Sequence, residues 1–256
     1  MSQDRPSQDW PSRDGRSEDK PAADPAPAPI VTLGALDLSA LLSSRVCHDV
    51  INPVGAITNG LEVLDDPQHE SDAEMRGFAL DLIRKSVRGA AARLQFSRLA
   101  FGAAGSAGAS IDTGEAENVA RGLFAEGKAT LDWGLPRAYL PKNRVKLILN
   151  LCQVAMSAVP RGGVVKVTAT GEGEAGGYDV VAEGGHAKLM AGVAAALDGR
   201  PESGVVDAHS VQPFYAGLIA RECGLKVAVE TTPERVAFRV TPEAATAEAT
   251  EAPPAG

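Results

Sequence analysis

From Val50 to Phe101 the apolar positions keep a seven-residue beat. Val50, Val54, Ile57, Leu61 and Leu64 are spaced by 4, 3, 4 and 3 residues. Leu80, Ile83, Val87, Ala90, Leu94, Ser97 and Phe101 continue at 3, 4, 3, 4, 3 and 4. This beat puts one apolar stripe on each of two helices. The first helix is predicted over Asp37–Asp66, with Pro67 at its stop. The second begins after Ser71-Asp72-Ala73-Glu74, which has the S-x-x-E form of a capping box. Two long helices joined by a short connection predict an antiparallel hairpin. A hairpin alone buries little surface. Two of them, from two chains, close a four-helix bundle, so the pattern predicts a homodimer. The competing packing sets the hairpin against the remainder of its own chain.

After Gly102–Gly108, a Gly/Ala/Ser-rich linker signal, the period changes. Helices are predicted over Glu115–Glu126, Lys142–Val159, Ala187–Leu197 and Val211–Cys223. Strands are predicted over Thr130–Trp133, Val164–Thr170, Tyr178–Ala182, Lys226–Thr231 and Arg235–Thr241. Gly162-Gly163 and Gly171–Gly177 are the turns between them, and neither has the G-x-x-x-x-G-K-[ST] form of a phosphate loop. The expected class is α+β: a helical hairpin forming a dimeric four-helix bundle, followed by an α/β sandwich with a mostly antiparallel sheet. The opening residues mix Asp, Ser, Arg and Pro with almost no aliphatics, and the closing ones are Ala, Glu, Thr and Pro. Burial would not repay the ordering of either. The expected division is a disordered tail over 1–30, the hairpin over 31–104, the sheet domain over 109–242 and a second disordered tail over 243–256.

Composition narrows the function classes. The chain has 256 residues, 44% hydrophobic but only 4% aromatic, so its core must be aliphatic and Ala-rich. A net charge of −8 and the lack of a basic stripe speak against nucleic acid. No polybasic segment and no apolar run of about 20 residues speak against a membrane. Nothing at the N-terminus reads as a secretion signal. Cys47, Cys152 and Cys223 lie far apart with no CxxC pair, which fits reduced thiols in a cytoplasm and neither a disulfide framework nor a zinc site.

The stretch RVCHDVINPVGAI, Arg45 to Ile57, carries the candidate chemistry. At about 100° per residue, His48 shares a face with Ser44, Ile51, Asn52, Gly55, Asn59 and Glu62, away from the apolar stripe. A lone histidine is most often structural, but this one is predicted to face water. A neutral imidazole is a nucleophile. The adjacent Asp49 can orient its second nitrogen and stabilise the charge that develops on the ring. Pro53 has no N–H, so the Asp49 carbonyl loses its helical partner and a kink is expected. Gly55 lets another backbone approach. The candidate catalytic residues are His48, Asp49 and Asn52. The candidate partner-binding residues are Ser44, Arg45, Ile51, Gly55 and Asn59. His69, His186 and His209 have no carboxylate or cysteine at ligand spacing, so no metal site is expected.

His48, Asp49, Asn52 and Pro53 form H-D-x-x-N-P, which resembles the phosphoacceptor motif of two-component histidine kinases. That resemblance implies that His48 carries a phosphoryl group, that the acidic neighbour assists, and that the rear domain has the fold of a kinase ATP-binding domain. The nucleotide motifs of such a domain are altered in this chain. Val154 stands where the metal-binding Asn is expected, beside matching Ala155, Pro160, Gly162 and Gly163, with Asn150 one turn earlier. In place of D-x-G-x-G stand Ala182, Glu183, Gly184 and His186. Where a glycine-rich loop should precede the last helix stand Ser210, Val211, Gln212 and Pro213. Fold without nucleotide chemistry resembles the ChpT-type histidine phosphotransferases of alphaproteobacteria, over about Leu36–Thr241. The resemblance implies a shuttle. The receiver domain of a hybrid histidine kinase gives phosphoryl to His48, and His48 passes it to the receivers of response regulators, in that family a cell-cycle transcription regulator and a proteolysis adaptor. No cofactor is then expected in this chain, and Mg2+ comes with the receiver. Two other readings stay open at this point: an ATP-dependent autophosphorylating histidine kinase, and a non-catalytic dimeric scaffold for receiver domains.

Overall fold

The computed structural model describes residues 29–102, 108–171 and 176–243. All but the inner ends of both expected tails, most of the Gly102–Gly108 linker and the middle of the Gly171–Gly177 turn lie outside them. Helices α1 (Ala35–Asp65) and α2 (Ala73–Ala100) make the antiparallel hairpin. Helix α1 runs unbroken through Pro53. A short 3-10 turn, Pro67–His69, connects the two, and the Asp66 carboxylate accepts from the Gln68 N–H at its start. The cap of α2 falls one residue later than the S-x-x-E form placed it. Asp72, not Ser71, is the N-cap, and its carboxylate accepts from the Met75 N–H at 2.9 Å. Arg76 reaches back to donate to the Leu64 carbonyl at 2.8 Å, satisfying one of the orphan acceptors at the end of α1.

The apolar stripe is used only in part inside one chain. Gly60 is buried against α2, where a Cβ would lie 2.6 Å from Ile83 Cγ1, so the helices meet closely there. Val54 and Leu61 on α1, and Leu80, Val87 and Leu94 on α2, stay between 40% and 50% exposed.

The second unit begins with β1 (Ser110–Asp112) and α3 (Thr113–Phe124), then β2 (Ala129–Gly134), β3 (Tyr139–Pro141) and α4 (Lys142–Ser157). It continues through β4 (Gly163–Thr170), β5 (Gly177–Glu183), α5 (Val193–Leu197), α6 (Val211–Glu222), β6 (Leu225–Thr232) and β7 (Arg235–Pro242). The main sheet has the order β2-β4-β5-β7-β6; β2 and β4 are parallel and every other pair is antiparallel. Strands β1 and β3 form a small separate ribbon that the pattern did not predict; three residues are too few to show a period. The helix expected over Ala187–Leu197 shrinks to α5, because Gly192 just before it takes a left-handed φ of +79°.

The core lies between the sheet and the helices. Val165, Val167, Val180, Ala182, Val236, Phe238 and Val240 point from the strands to Ile148, Leu151, Cys152 and Ala155 of α4 and to Ala216 and Ile219 of α6, all essentially buried. Helix α4 is buried along its whole length from Val145 to Ala155. Glycine is required at Gly217, where a Cβ would fall 1.8 Å from the Leu197 carbonyl oxygen.

One end of the hairpin is fastened to this unit by two apolar clusters. Phe96, Leu99 and Ala100 of α2 pack with Ala116, Ala120 and Leu123 of α3 and with Val145 and Leu149 of α4. Val31, Leu33, Leu38, Leu41 and Leu42, around the start of α1, pack on Ala196, Val206, Val211 and Phe214. Each fully buried Leu or Phe contributes about 1.5–3 kcal/mol. The competing packing, hairpin against its own chain, is therefore realised at that end.

Candidate functional site

His48 sits mid-way along α1 with its side chain 69% exposed. Four residues earlier and three to eleven residues later on the same helix stand Ser44, Ile51, Asn52, Gly55 and Asn59, and all are exposed. Ile51 is 62% exposed. A Cβ at Gly55 would meet nothing within 4 Å. Asn52 makes no side-chain hydrogen bond among the described residues. The outward face read from the helical period is thus continuous and open, with the imidazole in it.

Arg45 behaves differently from the residues it was grouped with. It is turned inward, its side chain 20% exposed, and its Nε donates to Asp49 Oδ2 at 3.1 Å. Asp49 is itself only 18% exposed. Its other oxygen, Oδ1, lies 3.7 Å from Nδ1 of His48. That is outside hydrogen-bond range. Sites of this kind commonly tighten only when the partner is bound. The carboxylate thus has one oxygen tied down and the other turned to the histidine. An imidazole that donates from Nδ1 keeps its Nε2 lone pair for attack.

Two residues that the sequence did not mark complete the surroundings. Gln153 of α4 donates its side-chain N–H to Asp49 Oδ2 at 3.4 Å, a long bond that spans 104 residues of sequence. Its Oε1 accepts a hydrogen bond from the side-chain N–H of Gln212, in α6. Gln153 is 7% and Gln212 3% exposed. The available signal was their polarity at positions where α4 and α6 are otherwise apolar; it gave no hint of the partner.

The places where nucleotide motifs were sought hold other chemistry. Val154 is buried, and with Arg45, Ser157, Asp207, His209 and Gln212 it helps line a cleft of about 410 Å3. Asn150, which stood as a possible remnant of a metal-binding asparagine, is fully buried. Its amide donates to the Ala100 carbonyl at 3.2 Å and to the Lys146 carbonyl at 2.9 Å. It is a structural tie. Ala182 is buried in the sheet. Before α6, the Asp207 carboxylate accepts from the Ser210 hydroxyl and from the N–H groups of Ser210 and His209. The Ser210 hydroxyl, then those amides, hold its pKa below the usual carboxylate value. Among the described residues no three of His, Cys, Asp and Glu lie together as a metal site, and no helix is long and apolar enough to cross a membrane. Burial pushes the Cys152 thiol up to about 12, while Cys47, next to His48, is exposed.

Comparison with known proteins places the chain in a family. A family described as "Histidine phosphotransferase C-terminal domain" matches residues 113–235. The "Protein phosphotransferase ChpT" of Brucella abortus (strain 2308) is 45% identical over 208 residues, which cover 81% of this chain and 97% of that protein. A solved structure described as "1.7 Angstrom Structure of a Bacterial Phosphotransferase" is 43% identical and superposes with a TM-score of 0.74, over 82% of this chain and 98% of that one. Solved histidine kinases align far less closely, one from Erythrobacter litoralis EL346 at 11% identity and a TM-score of 0.40. With nearly half of the residues shared along almost the full length of a ChpT protein, this chain belongs to the ChpT family of histidine phosphotransferases.

Proposed function

We propose that this protein passes phosphoryl groups between receiver domains in a two-component phosphorelay, with His48 as the carrier. The observation that supports the reading best is the open imidazole on α1 with an anchored carboxylate turned toward its Nδ1. In the forward step, His48 Nε2 attacks the phosphorus of an aspartyl phosphate on the donor receiver. The N–P bond forms, the P–O bond breaks, and the donor's aspartate leaves as a carboxylate. The Nδ1 proton stays on the ring, facing Asp49, which orients the imidazole and offsets its positive charge. The return step to an acceptor aspartate is the reverse. Charge on the moving phosphoryl group is met by the receiver's Mg2+, so this chain supplies the nucleophile, its orientation and the docking face.

Ser44, Ile51, Gly55 and Asn59 form that face around His48, with Arg45 at its inner edge and Asn52 beside the ring. The donor is the receiver of a hybrid histidine kinase, and the acceptors are receivers of response regulators. ATP has no part in the step: Val154, Ala182, His186 and Gln212 stand where nucleotide-binding residues would be expected. The half-exposed stripe of Val54, Leu61, Leu80, Val87 and Leu94 fits a second copy of this chain, so that two hairpins make one bundle. A bundle of this sort works in the cytoplasm, where its partners are.

Phosphotransfer profiling tests the reading. Purified protein is mixed with phosphorylated receiver domains from the same organism, and transfer to His48 and onward to acceptor receivers is followed. His48→Ala should abolish transfer in both directions. Labelling of His48 by ATP alone would instead favour a kinase. Intact pathway flux through His48→Ala would favour a scaffold.

A further inference from the structure

We propose that Gln153, held in place by Gln212, is a positioning residue for Asp49, so that the sheet domain contributes directly to the phosphotransfer site. The inference rests on the phosphotransfer reading of His48 and adds to it a role for the rear domain.

The argument starts from what a buried amide requires. Gln153 and Gln212 are almost wholly shielded from water, so their polar atoms must be paired inside the protein. Gln153 has one acceptor end and one donor end. The acceptor end takes the N–H of Gln212, and the donor end then points at Asp49 Oδ2. A flipped Gln153 would set its oxygen against the carboxylate and its N–H2 against that of Gln212, two repulsive contacts in place of two bonds. The carboxylate, which can only accept, sets which way Gln153 faces, and Gln212, donating to the other end, holds it there.

Asp49 Oδ2 receives two donors, Arg45 Nε from its own helix and Gln153 Nε2 from α4. Arg45 alone, one turn away on the same helix, holds the carboxylate from one side only. A second donor from a buried helix restrains it. With Oδ2 held, Oδ1 is left to the imidazole, the arrangement that keeps Nδ1 protonated and Nε2 nucleophilic. Both glutamines belong to the segments where the kinase resemblance predicted nucleotide ligands. Gln153 neighbours the position of the metal asparagine, and Gln212 lies in the position of the glycine-rich loop. The side chains now found there brace the histidine's neighbour.

The test is a pair of variants read through a double-mutant cycle. Gln153→Met keeps the volume and removes the donor. With full-length protein and phosphorylated receiver, its rate at saturating receiver should fall about tenfold, the loss of one hydrogen bond to a charged group, with KM for the receiver unchanged. In an Asp49→Asn background the same change should have no further effect, since it acts through that carboxylate. Gln212→Glu, which replaces the donor holding Gln153 by an acceptor that competes with Asp49 for its N–H, should reproduce the slower rate and be silent in the same background. Melting curves and sedimentation establish that each variant is folded as the parent is. Effects of Gln153→Met and Asp49→Asn that multiply, a change in KM instead of kcat, or a wild-type rate for both glutamine variants would overturn the inference. If His48→Ala is dead in that last case, the relay reading survives and only the role of the glutamines falls; transfer that persists in His48→Ala would sink the relay reading itself.

Discussion

The buried amide of Asn150, in the middle of α4, donates to the carbonyl oxygen of Ala100, the last residue of α2, at 3.2 Å. A helix ends with carbonyls that have no partner within the helix, and a buried end must find one elsewhere. Asn150 supplies it from the other unit. Its own Oδ1 has no hydrogen-bond partner among the described residues, so the residue acts through its donor end. Asn150→Ala should therefore lose about 1–3 kcal/mol of stability in a denaturant titration, the cost of stranding a buried carbonyl plus a small void. Once folded, the variant should transfer phosphoryl at the parental rate, as expected for a tie and not for a nucleotide ligand.

Asp49→Asn removes the charge beside His48 and keeps the shape. Transfer in both directions should slow by about a hundredfold if the carboxylate orients and stabilises the ring. Receiver affinity, measured by calorimetry with an unphosphorylated receiver, should stay the same. A parental rate would take Asp49 out of the mechanism.

Ile51 is large, apolar and open to solvent one turn from His48. Ile51→Asp should raise the receiver's dissociation constant at least about tenfold, since a charge then has to be buried at an apolar contact. Sedimentation should show the oligomeric state unchanged.

The opposite signature is expected along the half-used stripe. Leu94→Glu or Val87→Glu should convert a dimer to monomer in sedimentation, since either puts a charge on each side of the expected seam. The monomer should keep its far-ultraviolet spectrum, because the clusters fastening the hairpin to the sheet domain involve neither residue.

Asp207 makes a pH prediction. Its folded pKa is lowered from the ordinary 3.8, chiefly by the Ser210 hydroxyl and then by the Ser210 amide. A lowered carboxylate contributes stability that is present above the unfolded value and lost as pH falls through the folded one. Asp207→Ala should melt at a lower temperature than the parent at neutral pH. The gap should narrow as pH falls below 3.8. A gap independent of pH would show that the three hydrogen bonds do not depend on the charge.

How much of this was legible in sequence depends on the range of the interaction. The hairpin and the long strands follow from periods of seven and two, which short windows carry. The exposure of His48, Ile51 and Gly55 follows from the helical period alone. The inward turn of Arg45 does not, because the cleft it lines is completed by residues of the other unit, among them Val154, Asp207 and Gln212, and only that unit decides what a side chain there meets. Gln153 was invisible for the same reason: its partner is 104 residues away. The five-residue α5 was overread because alanines favour helix and the left-handed turn at Gly192 overrides them.

The exposure of one ring on an unbroken helix has a kinetic corollary. On the proposed reading, a receiver domain seated over His48 occludes it, so giver and taker cannot be present on the same ring together. Phosphoryl flow then runs in alternation, with the carrier charged and alone between visits. The half-life of the N–P bond in water, and the crowding of rival receivers at one doorway, would set how much signal survives the wait.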